Sequence, residues 1–191
     1  MDKAQLRCRL RNGLLTLSPQ QRQAKSLRAC HRLIQTDAFQ EASTVMLYLA
    51  MDHEADPTEA MQWAWDHGKT VLVPKVLWRE RIMYPARIDG LDEPFDVGRA
   101  GLRNPVSDRQ VPLGQIDLVV APGLAFDLQG HRLGRGGGYY DRFFSDGTVR
   151  AQRCGFAFEE QVVAHVPVQA GDQAMDFLVT DEQTTLGLSG A

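Results

Sequence analysis

Cysteine is scarce in this chain: Cys8, Cys30 and Cys154 are its three, and no two form a Cys-x-x-Cys pair. So sparse and odd a set excludes a disulfide framework and suits a reducing compartment, the cytoplasm. The five histidines show no ligand spacing with the cysteines or with one another, which excludes a structural zinc site. No apolar run approaches the roughly 20 residues that a membrane span requires. The first eleven residues carry Lys3, Arg7, Arg9 and Arg11 where a signal peptide would have its apolar core. Positive charge is not in excess either. A formal net charge of −3 offers no basic field to nucleic acid, and Leu6 and Leu10 make the basic start one face of a packed helix. The expectation is a cytoplasmic monomer that engages neither nucleic acid nor membrane.

Within 191 residues, 43% of them hydrophobic, there is material for one substantial core, and a single domain over 1–191 is expected. Helix and strand signals alternate. A first helix is expected over Lys3–Leu15. Ser18 caps a second, with Pro19 first and Gln21 completing a capping box, and Ala24, Leu27, His31 and Ile34 form its apolar face. Asp56 caps another, with Pro57 first and Glu59 third; Met61, Trp63 and Ala64 pack it, and Gly68 stops it. Strands are expected at 45–49, 71–73, 82–84, 116–121, 152–156 and 177–180, and a further helix from Tyr139. This alternation predicts an α/β fold, a single three-layer Rossmann-like domain with a mostly parallel sheet and helices on both faces. The polar segment 87–114 is either a flap over the site or a surface excursion.

The stretch 132–142, RLGRGGGYYDR, carries the chemistry. Glycines let a backbone approach a ligand closely and take positive φ. Arg132 and Arg135 add charge that cannot be titrated away, in a planar fork suited to phosphate or carboxylate. Asp141 stands where it would hold Mg²⁺ beside a phosphate. Neither a Walker A loop nor a dinucleotide fingerprint is present, since the Lys-Ser/Thr pair is missing and Tyr139 occupies the third glycine position. The alternative is a flexible turn with solvated arginines. Three successive glycines in so charged a loop argue instead for a nucleotide at the backbone. This loop and 50–57 both leave the carboxyl ends of predicted strands, the rim where such sheets bind ligands.

The run PGLAFD-x-x-G-x-RLG-R-G-x-GYYDR, over 122–142, resembles the signature of the 5-formyltetrahydrofolate cyclo-ligases. Lys3 and Arg7 match an amino-terminal K-x-x-L-R element, YLAMDHEADP at 48–57 a Y-L-x-x-x-x-E-x-[DE] element, and 155–182 the closing pattern. The resemblance thus runs from Lys3 to Glu182. It implies ATP- and Mg²⁺-dependent conversion of 5-formyltetrahydrofolate to 5,10-methenyltetrahydrofolate, with ADP and phosphate released. It also implies phosphorylation of the formyl oxygen followed by ring closure, chemistry that needs alignment and charge neutralisation, not a covalent nucleophile.

The roles implied by the resemblance are these. Lys3 and Arg7 reach the ATP phosphates from the first helix, and Arg132, Leu133, Gly134 and Arg135 continue that site into the glycine loop. Gly136, Gly137, Gly138, Tyr139 and Tyr140 cradle the triphosphate, and Arg135 and Gly136 to Tyr139 also face the folate. Arg135 and Tyr140 are the catalytic candidates. Glu54 accepts from the pterin's donor edge, with Leu49 and Met51 lining the slot. Asp141 and Asp172 are the metal-side carboxylates, Asp176 being the alternative to Asp172. Three positions depart from the pattern. Asn104 stands where many members have glutamate, Gly171 where many have histidine, and Gly137 where some have lysine.

Overall fold

The computed structural model describes residues 1–98 and 101–187. Local chemistry sets the helix starts. In α1 (Lys3–Leu15) Asp2 and Gln5 exchange side-chain and backbone hydrogen bonds, and in α2 (Pro19–Ile34) Ser18 and Gln21 do the same. Thr36 caps the short α3 (Asp37–Glu41). After β1 (Thr44–Met46) comes α4 (Thr58–Asp66), which starts one residue later than expected, with Asp56 accepting from the Thr58 N–H. It ends at Gly68, in the left-handed region at φ 71°.

The face of α2 differs from the expected one. Ser26, Ala29, Cys30 and Leu33 are buried, whereas Ala24, Leu27 and His31 are exposed and Ile34 is half-buried. The helix is turned because Ser26 Oγ accepts from the Asp56 N–H at 3.0 Å, and because Lys25 and Arg28 both reach the buried Asp181. A polar residue with a partner thus displaces an apolar one from the interface.

The remaining strands are β2 (Thr70–Leu77), β3 (Ile82–Arg87), β4 (Phe95–Val97), β5 (Arg103–Pro105), β6 (Leu118–Ala121), β7 (Ala125–Phe126), β8 (Arg132–Leu133), β9 (Gln152–Phe156), β10 (Phe177–Val179) and β11 (Thr184–Thr185). The main sheet has the order β11-β10-β9-β6-β1-β2-β3. Its five inner strands are parallel, and β3 and β11 are antiparallel edges. Alternation along β6 splits the core between two faces. Leu118 and Val120 join the helices α2 and α4 on one side; Val119 and Ala121 join Phe143 and Phe144 of α5 (Tyr139–Phe144) on the other. The expected three-layer, mostly parallel architecture is the one observed.

Two small ribbons lie outside the sheet. β7 and β8 pair under α1, where Leu6 and Leu10 meet Ala125 and Leu133. β4 and β5 pair within the segment 87–114, which folds back onto β2. β1 has β2 on one side and β6 on the other, so the chain winds outward in both directions from this point. Ligand clefts form at such a reversal, beyond the carboxyl ends of the two strands.

Candidate active site

A cleft of about 840 Å³ opens at that reversal. The loop after β1 forms one wall with Leu49, Met51 and Glu54. Glu54 is held in place, since its Oε2 accepts from the Met51 N–H at 2.9 Å. Tyr48 braces the loop from below by donating to the Ala55 carbonyl. The loop after β6 forms the opposite wall. There Gly123 is required by close packing, because a Cβ at that position would stand 2.7 Å from the Phe126 ring.

Arg132 enters from β8, and its placement begins with a buried carboxylate. Asp127 is fully buried and accepts from the N–H groups of Gln129, His131 and Val166, which fixes the turn between β7 and β8. Arg132 is then held by Nη1 to the Pro122 carbonyl at 3.2 Å and by Nη2 to Asp141 Oδ1 at 3.0 Å. Its guanidinium lies over the Tyr140 ring, 5.3 Å from the centroid. Arg132 Nε and the Tyr140 hydroxyl are buried with no hydrogen-bond partner among the described residues. Both line the cleft, where an oxygen-rich ligand would satisfy them. Burial pushes the Tyr140 hydroxyl well above its ordinary pKa, the Arg132 charge pulls against this, and the Glu54 charge adds to it. Tyr140 therefore keeps its proton and can donate a hydrogen bond into the cleft.

The glycine loop spans the gap between these walls. Arg7 Nε donates to the Gly134 carbonyl at 2.9 Å, tying the loop to α1. Gly136 and Gly138 have φ of 108° and 66°, conformations that favour glycine. Because α5 has only six residues, its dipole adds little positive potential to the loop. Arg135 Nε donates to Glu54 Oε1 at 2.8 Å, so an ion pair ties the glycine loop to the loop after β1. Tyr139 is clasped between the Arg142 guanidinium and the edge of Trp78. Leu133 is placed differently: its side chain is buried against Leu6 and Leu10 beneath α1, not in the cleft.

Lys3 and Asp172 also meet, Lys3 Nζ donating to Asp172 Oδ2. The neighbouring Gln173 N–H donates to Asp141 Oδ1 at 3.3 Å, which brings Asp141 and the Asp172 segment to one corner. Asp176 is engaged elsewhere, accepting from the Arg153 N–H at 2.7 Å. Among the described residues no group of three His, Cys, Asp or Glu assembles as a cation site. Mg²⁺ itself needs only one or two carboxylates, its remaining positions being filled by phosphate oxygens and water. Asp141 fits the part, since the hydrogen bonds it accepts from Arg132 and Gln173 both fall on Oδ1.

Sequence reasoning missed the third wall. Pro74, Val76 and Trp78 from β2 and its turn, Met83 from β3, Leu102 just before β5 and Arg103 at its start all line the cleft. The available signal was Trp78, a large aromatic in a charged turn. No cysteine competes for a catalytic role here. Cys30 and Cys154 are fully buried, and burial pushes the Cys30 thiol up to about 12.

Among the described residues no helix is long and apolar enough to cross a membrane. The family model of the 5-formyltetrahydrofolate cyclo-ligase family matches residues 1–181. The chain is 26% identical over 191 residues to the 5-formyltetrahydrofolate cyclo-ligase of Mus musculus, covering 94% of each chain. It is 28% identical over 181 residues to that of Escherichia coli strain K12, covering 90% of this chain and 96% of that one. The NMR structure of Aquifex aeolicus 5,10-methenyltetrahydrofolate synthetase superposes with a TM-score of 0.85 at 30% identity, over 100% of this chain and 95% of that one. A Mycoplasma pneumoniae synthetase structure, 20% identical with a TM-score of 0.76 over 95% of this chain and 99% of that one, shares the fold. A cleft built by the glycine loop and the strand-end carboxylates, within a match that runs almost the length of the chain, places this enzyme in the 5-formyltetrahydrofolate cyclo-ligase family.

Proposed function

We propose that this chain, acting as a cytoplasmic monomer, converts 5-formyltetrahydrofolate to 5,10-methenyltetrahydrofolate at the expense of ATP, with Mg²⁺. The observation that carries the reading is the convergence, in one cleft, of a glycine loop with two arginines and a loop carboxylate facing it. One half suits a triphosphate, the other a flat ring with a row of N–H donors.

The chemical obstacle is the formyl oxygen, a poor leaving group. Transfer of the γ-phosphoryl group to that oxygen breaks its bond to ADP and forms a C–O–P linkage. Nitrogen 10 of the folate then attacks the formyl carbon, the C–O bond breaks, phosphate departs and nitrogen 10 loses its proton. The protein has to align two substrates and neutralise phosphate charge. Arg132, Arg135, Lys3 and Arg7 supply positive charge around the loop amides of Gly134 and Gly136 to Tyr140. Tyr140, kept protonated by burial, donates toward the oxygen on which charge develops. Glu54, held by the Met51 N–H, receives the pterin's donor edge once Arg135 has turned to phosphate. Asp141, with Asp172 behind Lys3, forms the carboxylate side that would hold Mg²⁺. The bound ion would neutralise phosphate oxygens.

The deciding experiment follows the near-ultraviolet absorbance of the methenyl product after mixing the protein with 5-formyltetrahydrofolate. Product that requires both ATP and Mg²⁺ is expected. Tight folate binding with no product under any nucleotide would make the chain a folate-sequestering relative and refute the reading.

A further inference from the structure

We propose that Asn104 is a positioning residue for the folate half of the cleft: its amide clamps the β4–β5 ribbon onto β2 and so seats Leu102 and Arg103 in the cleft wall. The proposal rests on the folate reading above for its ligand, and on geometry alone for the clamp.

The clamp follows from where β1 stops pairing. β1 accompanies β2 from Thr44 opposite Thr70 to Met46 opposite Leu72, while β2 runs on to Leu77 beside β3. Val76 lies in that extension, and its peptide groups are taken by one side chain. The Val76 N–H donates to Asn104 Oδ1 at 2.7 Å, and Asn104 Nδ2 donates to the Val76 carbonyl at 3.1 Å. A primary amide offers an acceptor and a donor side by side, which copies the pairing of a strand. A carboxylate offers acceptors only and would confront the Val76 carbonyl with no proton between them. Asparagine at this position is therefore matched to the main chain it meets.

What the clamp holds is part of the site. Asn104 stands opposite Asp96 in the ribbon, and the Gly98 N–H donates to the Leu102 carbonyl at 2.8 Å, so ribbon and clamp move as one piece. Leu102 and Arg103, just before Asn104, line the cleft together with Val76 itself. Trp78, two residues beyond Val76, lines it too and meets Tyr139 of the glycine loop edge-on at 5.9 Å. Leu102 presents apolar surface and Arg103 a permanent charge, the pair that an aromatic substrate with a carboxylate tail requires. Arg132 and Arg135 have their own anchors, Arg132 on Pro122 and Asp141 and Arg135 on Glu54, and none of these belongs to the ribbon.

The test uses the full chain as wild type, Asn104→Ala and Asn104→Asp. Hydrogen exchange reports the clamp directly, because the Val76 N–H has Asn104 as its acceptor; Asn104→Ala should lose protection there while β6 keeps its own. Calorimetric binding should then show 5-formyltetrahydrofolate weakened about tenfold in Asn104→Ala, the loss expected for two neutral hydrogen bonds. A non-hydrolysable ATP analogue should bind within about twofold of wild type. In Asn104→Asp the carboxylate can still accept from the Val76 N–H but has no proton to offer the Val76 carbonyl, so folate binding should again fall below wild type. Unchanged exchange at Val76, equal folate affinity in all three proteins, or parallel loss of folate and nucleotide would overturn the proposal. Lost protection at Val76 in a protein whose wild type binds no folate would leave the clamp standing and remove the folate reading.

Discussion

Replacing Glu54 with glutamine is expected to tighten nucleotide binding while it weakens folate binding. In the free protein Arg135 Nε lies 2.8 Å from Glu54 Oε1, the arginine side chain 35% exposed and the glutamate 9%. Arg135 therefore has to leave a carboxylate before it can reach a phosphate. An ion pair with one partner this open contributes up to about 1 kcal/mol after solvent screening, equivalent to about a fivefold change in a dissociation constant. Glutamine keeps the shape and one acceptor but gives up the charge, so Arg135 is released at little cost. Calorimetry with a non-hydrolysable ATP analogue and Mg²⁺, folate absent, should show affinity about fivefold tighter in Glu54→Gln than in wild type. The same gain should appear in wild type when folate occupies Glu54, and by linkage the nucleotide should tighten folate by the same factor. Glu54→Gln should abolish that mutual gain. Nucleotide affinity that is equal or weaker in the variant would refute the reasoning, because it would mean that Arg135 is not withheld from phosphate by Glu54.

Three further outcomes are expected. Arg135→Ala and Asp141→Ala should each lower turnover by about a hundredfold or more with the folded circular dichroism spectrum retained. Arg135→Ala should melt close to wild type, whereas Asp141→Ala should melt lower because it leaves the buried Arg132 guanidinium without its carboxylate; near-normal turnover in both would dismiss the site. Asp181 is buried and accepts from Lys25 at 2.8 Å, Arg28 at 3.1 Å and the Glu159 N–H at 2.9 Å, so Asp181→Asn should cost about 3 kcal/mol of stability in urea titration at neutral pH. Burial alone would raise the Asp181 pKa, but the bonds from Lys25, Glu159 and Arg28 leave it below the ordinary carboxylate value. Its stabilisation is accordingly complete above the unfolded pKa of about 3.9 and fades as pH falls through the lower folded value. The gap between wild type and Asp181→Asn should therefore close in acid, and a gap independent of pH would contradict the ion-pair account. Gly155→Ala would place a Cβ 2.6 Å from the Phe126 ring and 3.0 Å from Leu178, and should lower stability by about 1–3 kcal/mol, read as a fall in melting temperature.

What was legible in the sequence was local. Ser18, Pro19 and Gln21 announce α2 because a capping box is complete within four residues, and the glycines of 134–138 announce the loop because backbone geometry at Gly136 and Gly138 favours that residue. The buried face of α2 was not legible, since Ser26 enters the core only by virtue of a hydrogen bond to Asp56, thirty residues away. β2 runs longer than expected through Pro74, which is tolerated because the Pro74–Pro85 pair needs no ladder N–H: Pro85 turns its carbonyl outward to the Val111 N–H, and the β1 pairing has ended at Leu72. The third wall of the cleft depends on Asn104 meeting Val76, and nothing near either residue signals that meeting. Long-range partners account for the largest gap. Lys3 and Asp172 are 169 positions apart and Glu54 and Arg135 are 81 apart, so the sequence offers each as a ligand-binding charge without revealing that they bind one another. With Arg132 on Asp141, three ion pairs occupy the groups assigned to phosphate, metal and pterin. A cation held half-buried without a partner would be costly, and these pairings avoid that cost in the free protein. On the proposed reading substrate entry is an exchange of partners, and each ligand meets charges that are already aimed and already paired. Affinity for either ligand alone should then be held down by the pairs it must break, and should rise once the other ligand has broken them.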